Sequence, residues 1–175
     1  MASLRKVCAS ALGKVSVSDM ASNNRSTDVV LAPIAGAVIE LANVPDPVFS
    51  SGVMGGGCGI EPDEESVVAP FSGTVTAVTP TEHAIGITSD DGVEVLIHVG
   101  IDTVDMNGDG FCTLVEEGQK VEEGEPILAF ARSLVRNAGH SDVVVVLMPP
   151  TSKKAAAGVT KKNDVEAGDV LITLE

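Results

Sequence analysis

Tryptophan and tyrosine are absent, and phenylalanine occurs four times in 175 residues. A core must therefore be built from Val, Ile, Leu and Ala, which leans toward sheet. Stacking platforms for single-stranded nucleic acid lack the aromatic side chains they need. Positive charge is scarce as well. Eleven Lys and Arg stand against 25 Asp and Glu, a net charge of −14, which argues against binding nucleic-acid phosphates. No run approaches the roughly 18 apolar residues that span a bilayer; Val143 to Met148 is far too short. The three cysteines, Cys8, Cys58 and Cys112, show no CxxC spacing. They indicate neither a disulfide framework nor a cysteine zinc site, and fit a reducing, cytoplasmic setting.

What is present suits one globular domain behind a tail. Hydrophobic content of 44% excludes a mainly disordered chain, and the length allows a real core. Residues 1–27 carry four cationic side chains and one Asp, a net +3, so residues 28–175 form an acidic body of −17. Such a body suits a partner with a basic face. In the tail, Leu4, Val7, Cys8, Ala11, Leu12 and Val15 recur at helical spacing among basic residues. This reads either as a weak amphipathic helix touching an anionic membrane surface or as a disordered leader, with SDMASNNRST as linker. A signal peptide is a poor reading, since Lys14 interrupts the apolar stretch early.

From Asp28 onward, short β-branched runs alternate with Gly, Pro and Asp. They predict strands near 29–31, 36–41, 59–61, 67–69, 73–78, 83–88, 93–99, 111–114, 127–131, 143–147 and 170–174. One short helical turn is expected at Ser133–Ala138, stopped by Gly139. The fold class expected is all-β: an antiparallel sandwich or barrel with little helix. Internal repetition supports this. APIAGAV at 32–38 recurs as APFSGTV at 69–75, and VEEGEPILAF at 121–130 recurs as VEAGDVLITL at 165–174. The periods differ, so these are pseudo-duplicated strand-turn units and not a solenoid.

Two of the three histidines, His83 and His98, flank the turn signal SDDG at 89–92. If Asp90-Asp91 is the tip of a direct hairpin, the two face each other, with Cβ atoms about 5 Å apart; a bulge at Gly92 would shift this register by one. Neutral imidazole is a usable nucleophile for a phosphoryl group, and a second histidine could donate to the phosphoryl oxygens. Thr81, two residues before His83, is placed to fix that ring's tautomer. The same pair suits Zn²⁺, and the pattern alone does not choose. Asp102 follows His98 closely and reads equally as its orienting acid or as a turn former. His140 reads as structural or exposed. The glycine-rich GVMGGGCG at 52–59 lacks the Lys-Ser/Thr end of a nucleotide loop and reads as a flexible turn. MNGDGF at 106–111 reads as a turn and not a calcium loop. Cys58 and Cys112 read as small buried residues.

The succession LAPIAGAVIELANVPDPVF, VVAPFSGTVTAV, TEHAIGI, DGVEVLIHVGIDTV, GDGF, EEGQKVEEGEPIL and AGDVLITLE closely resembles glucose-class enzyme IIA of the bacterial phosphoenolpyruvate-dependent sugar phosphotransferase system, over residues 28–175. The resemblance implies that His98 accepts a phosphoryl group from the histidine-containing phosphocarrier protein and passes it to a cysteine of enzyme IIB. It implies that His83 is the second active-site histidine, Thr81 its support and Asp102 the acidic residue beside the site. It further implies a partner-docking patch of Val48, Phe49, Ile85 and Val104 with Asp105 on its rim, a monomer without a required cofactor, and zinc on His83 and His98 only in a regulatory complex. The start at Met1 and the end at Glu175 fit the free form rather than a permease domain. The chain departs from the family pattern at Ile85, where an aromatic residue is common, at Pro47, and in the glycine-rich 52–59 stretch. Two other classes compete: a zinc hydrolase on a related β-scaffold, and a biotinyl or lipoyl carrier suggested by VEEGQKVEEGEPIL. The first needs further ligands and the second a lysine at an exposed hairpin tip.

Overall fold

A computed structural model describes residues 26–175; the expectations placed on residues 1–25 lie outside the described residues. Strands dominate and, among the described residues, helix is confined to short segments. The strands are β1 (Val29–Leu31), β2 (Gly36–Glu40), β3 (Gly56–Pro62), β4 (Ser66–Val68), β5 (Gly73–Val78), β6 (Ala84–Thr88) and β7 (Glu94–Val99) in the first part of the chain. They continue as β8 (Phe111–Thr113), β9 (Lys120–Val121), β10 (Pro126–Phe130), β11 (Val144–Met148), β12 (Ala156–Val159), β13 (Asp164–Val165) and β14 (Val170–Leu174). The helices are α1 (Pro47–Ser50) and α2 (Arg132–Asn137). All pairings are antiparallel. The expected all-β class is therefore what the chain adopts.

The sheet orders make the duplication visible. The eight-stranded sheet runs β13-β2-β3-β11-β7-β6-β5-β9, and the two three-stranded sheets run β1-β14-β12 and β4-β10-β8. Reading the large sheet from its two ends gives matching partners. Gly36 pairs with Val165 at one end and Gly73 with Val121 at the other, which are the corresponding positions of the two sequence repeats. The small sheets match in the same way, with β14 and β10 at their centres. The halves meet at β7 and β11, which pair antiparallel with His98 opposite Val145.

That central position dictates a strand covered on both faces. Within Val143–Met148, Val144, Val146 and Met148 enter the main core, while Val143, Val145 and Leu147 enter a second cluster with Val44, Phe49 and Ile101. A continuous apolar run is the expected signature of double-sided burial. Strand β7 alternates instead: Val95, Ile97 and Val99 join the main core, and Leu96 and His98 face the second cluster's side. Each fully buried aliphatic side chain contributes about 1.5–3 kcal/mol. Ile97 is 1% exposed and lies opposite Ile85, so Ile97→Ala is expected to cost about 2–5 kcal/mol in urea unfolding. Val48→Ala, at a position 51% exposed, should change stability by less than about 0.5 kcal/mol.

The sequence expectations need several adjustments. The glycine-rich 52–59 stretch is a turn only as far as Gly55; Gly56–Gly59 opens β3. Strand pairing to β11 passes through Gly57 and Gly59, and a side chain at 59 would collide with Ile39 and Val44. Cys58 is buried and free, its thiol pushed up to about 12 by desolvation. Cys112 is buried as well, at 7% exposure. The described contacts of the body begin just before Asp28: Lys154 Nζ donates to Ser26 Oγ, the Thr27 carbonyl and Asp28 Oδ1, and Thr27 N donates to Asp91.

Candidate functional site

The hairpin takes the shifted register. Thr88 pairs with Glu94 and Ala84 with His98, so the residue directly opposite His98 is Ala84, and His83 faces Val99 through a 2.8 Å backbone bond. The cause is a three-residue loop, Asp90-Asp91-Gly92. Ser89 N donates to the Val93 carbonyl and Gly92 N to the Ser89 carbonyl, with Gly92 at φ 89°. This is the turn-plus-bulge form of hairpin, whose last loop residue is left-handed and favours glycine.

The rings meet nevertheless. His83 stands one residue before β6, after Glu82 at φ 58°. It is therefore free of the strict face alternation that the ladder imposes from Ala84 onward. The His83 and His98 ring centroids are 4.7 Å apart at 79°. Phe49 flanks His98 on its other side at 4.9 Å, and Phe111 backs His83 at 6.5 Å, with Phe130 beyond it. Three of the chain's four phenylalanines thus lie in one line of rings through the site.

Each ring is held by identifiable groups. Thr81 Oγ1 lies 2.7 Å from His83 Nδ1, and Thr79 Oγ1 lies 3.4 Å from it. The Thr79 hydroxyl donates to the Ala84 carbonyl and accepts from Ala84 N, so Thr81 is the closer partner of Nδ1. With the Thr81 hydroxyl as donor, the proton of neutral His83 sits on Nε2. His98 Nδ1 is buried and has no partner at hydrogen-bond geometry. The Gly100 backbone acts on this ring in the direction that favours protonation.

Desolvation, followed by the neighbouring His83, pushes His98 down to about 4; the Gly100 backbone and Asp46 pull weakly the other way. Desolvation lowers His83 as well. Both rings are neutral at pH 7. The unfolded histidine binds its proton near 6.5 and folded His98 only near 4, so the fold holds its full stability above pH 6.5 and loses it as acid is added through that window. The loss from His98 is about 3 kcal/mol at most, and His83 adds to it. Urea unfolding followed from pH 7 to pH 4 should show this fall, and His98→Ala should flatten it.

The turn after His98 is built tightly. Gly100 has φ 79°, and a side chain there would strike Thr103 and the Ser141 carbonyl. Thr103 is fully buried and donates to the Val99 carbonyl at 2.6 Å. Asp102 follows at φ 57° and caps the turn Thr103–Met106 without a side-chain hydrogen bond. Its carboxylate is exposed and joins no hydrogen bond to His98 among the described residues. The acid that acts on His98 is Asp46, which sequence reasoning missed. Asp46 caps α1, accepting from Val48 N at 2.8 Å and Phe49 N at 3.1 Å, and so places Phe49 against His98. An Asp followed by Pro at the first helical position was the available signal.

The expected docking residues divide. Val48 and Val104 are each 51% exposed, and Val53 and Met54, not anticipated, are exposed as well. Asp105 is exposed in the turn after Asp102. Phe49 is buried and reaches the site through its ring. Ile85 is corrected: at 1% exposure it packs in the main core opposite Ile97, on the face away from His98, and cannot touch a partner.

Zinc would find two nitrogens here. No group of three or more His, Cys, Asp or Glu able to hold a metal exists among the described residues, while a closed zinc site needs four ligands and a catalytic one three. His83 and His98 do not make a zinc site by themselves, and the hydrolase alternative gains no support. No described helix is long and apolar enough to cross a membrane.

Residues 28–155 match the family model described as phosphoenolpyruvate-dependent sugar phosphotransferase system, EIIA 1. Among solved structures, the chain is similar to glucose permease IIA from Mycoplasma capricolum, with 34% identity and a TM-score of 0.73 over 82% of this chain and 93% of that one. The family match includes His83, His98 and Gly100 and ends just before β12. The chain therefore belongs to the EIIA 1 family of the phosphoenolpyruvate-dependent sugar phosphotransferase system and is a component of sugar phosphotransfer.

Proposed function

We propose that this chain is a phosphohistidine carrier in which His98 Nε2 is the acceptor. The observation that carries the reading is a neutral His98 with its Nδ1 buried and its ring held between Phe49 and His83. Nε2 attacks the phosphorus of the phosphohistidine on the histidine-containing phosphocarrier protein. The new P–N bond forms as the donor's P–N bond breaks, and the donor imidazole leaves with the electron pair. In the second step a cysteine thiolate of enzyme IIB attacks the same phosphorus, and His98 is returned as the neutral ring.

Such transfer passes through a loose, metaphosphate-like state with charge on the equatorial oxygens, so positioning and electrostatic stabilisation dominate. His83 Nε2–H is the donor available for those oxygens, with Thr81 fixing its tautomer. The apolar surroundings exclude water, which would otherwise hydrolyse the phosphoramidate. Val48 and Val104 offer an apolar docking surface, with the acids Asp46, Asp102 and Asp105 available to meet a basic partner face. No cofactor is needed in either step.

Incubated with phosphoenolpyruvate, enzyme I and the phosphocarrier, the protein should gain one phosphoryl group that is labile to acid and stable to base. Loss of the label in base and retention in acid would point to a serine or threonine ester, and would overturn the histidine reading.

A further inference from the structure

We propose that Asp142, clamped between Arg132 and Arg136, is a positioning residue that holds the Gly100 turn beneath His98. The inference rests on the reading of His98 as acceptor, and reaches beyond it to residues on the far side of the turn.

Arg132 and Arg136 lie four residues apart on α2 and so share one face of it. Both direct their guanidinium groups at a single oxygen, Asp142 Oδ2: Arg132 Nε donates at 2.9 Å and Arg136 Nε at 3.0 Å. Asp142 is 8% exposed. A buried carboxylate bonded by two cations is fixed far more firmly than an exposed ion pair, because releasing it would strand a charge out of water. Gly139, at φ 89°, ends α2 and returns the chain toward the sheet.

The two residues flanking Asp142 hold the other end of the arrangement. The Ser141 carbonyl accepts from Ile101 N at 3.0 Å, and the Val143 carbonyl accepts from Gly100 N at 2.8 Å. These are the two peptide groups that follow His98 and Val99. With its side chain the clamp grips α2, and with its neighbouring carbonyls it grips the Gly100 turn. The group beside His98 Nδ1 is the backbone of that turn. Nδ1 is buried without a partner at bonding geometry, so where the Gly100 turn is held sets what this nitrogen can reach. Catalytic hydrogen bonds often tighten only in the reacting complex, and a turn fixed from behind has one place in which to tighten.

The charges do not serve a simpler surface role. Arg132 is only 24% exposed at its side chain, and its backbone N–H is taken by Glu65 Oε1 at 2.8 Å. Arg132 is the buried arm of the clamp, and Arg136, 58% exposed at its side chain, closes it from the solvent side.

The test is Asp142→Asn, read by 15N NMR of the imidazoles and by the initial rate of phosphoryl uptake. In the unaltered protein, His98 should be a single Nδ1–H tautomer. In the variant the His98 signals should move to a mixture of tautomers and uptake should slow about 10-fold, since displacements near 1 Å can cost up to about 100-fold. His83, held separately by Thr81, should keep its tautomer, which separates a local loosening from a general one. Unchanged His98 signals and uptake in a folded variant would overturn the proposal, as would His83 and His98 shifting together. Should Asp142→Asn fail to fold, Arg132→Gln releases one arm of the clamp and must show the same split between the histidines; an unchanged His98 there overturns it equally. If the unaltered protein takes up no phosphoryl group, the carrier reading fails, while the tautomer comparison still decides the clamp.

Discussion

The His98→Ala protein is expected to take up no phosphoryl group when incubated with phosphoenolpyruvate, enzyme I and the phosphocarrier, and to remain folded. Removing the nucleophile abolishes the covalent step outright. His83 does not replace it: its Nδ1 is engaged by the Thr81 hydroxyl at 2.7 Å, and in the proposed mechanism its other nitrogen is a donor. The fold survives because His98 lies on the partly exposed face of β7, while Val95, Ile97 and Val99 on the other face supply the packing. Below pH 6.5 the variant should lose less stability with added acid than the unaltered protein, since it no longer holds a ring whose protonation is pushed down to about 4. Normal labelling of this variant would place the acceptor elsewhere.

His83→Gln has a different signature: it still accepts the phosphoryl group and passes it to enzyme IIB at least about 100-fold more slowly. Losing one donor aimed at developing charge typically costs 10²–10³ in rate. The asymmetry follows from the two partners. In acceptance both nucleophile and leaving group are imidazoles, so no anionic nucleophile approaches the charged phosphoryl oxygens. In donation the nucleophile is a thiolate, an anion approaching an anionic group, and the donor on those oxygens matters most. Rapid-quench measurement of each half-reaction separates the two. Equal slowing of both would make His83 a packing residue beside His98 and remove its role as donor.

Much of this architecture was legible because alternation and repeats are strong signals. Strands β5 and β14 match their predicted limits, and α2 forms within one residue of the predicted turn, ended by Gly139 as expected. The two repeats correctly announced a duplicated sheet. What escaped was either too short or too dependent on distant partners. Strands β9 and β13 have two residues each, and β12 is Ala-Ala-Gly-Val; no period can be read from two residues or from side chains that small.

At the site, the histidine pair was readable but its geometry was not. The SDDG turn implied direct opposition, whereas Gly92 adds the bulge that moves the ladder by one. Contact was rescued by Glu82, whose left-handed backbone releases His83 from the ladder, a conformation that no pattern in TEHAIG announces. Ile85 was misplaced in the docking patch because the family resemblance put it there. Alternation along β6 puts it on the core face with Ile97, while Ala84 shares the face of His98. Asp102 was read from its closeness to His98 in sequence, yet its left-handed backbone starts a new turn that leaves its carboxylate exposed. The influences of Asp46 and Phe111 come from chain distances that only the folded sheet closes.

The most direct test is to phosphorylate 15N-histidine-labelled protein and locate the group by 31P–15N NMR. The expected result is a single phosphoryl group bonded to Nε2 of His98, with Nδ1 of that ring protonated. Phosphorus on His83, or on Nδ1 of His98, would contradict the assignment of the acceptor.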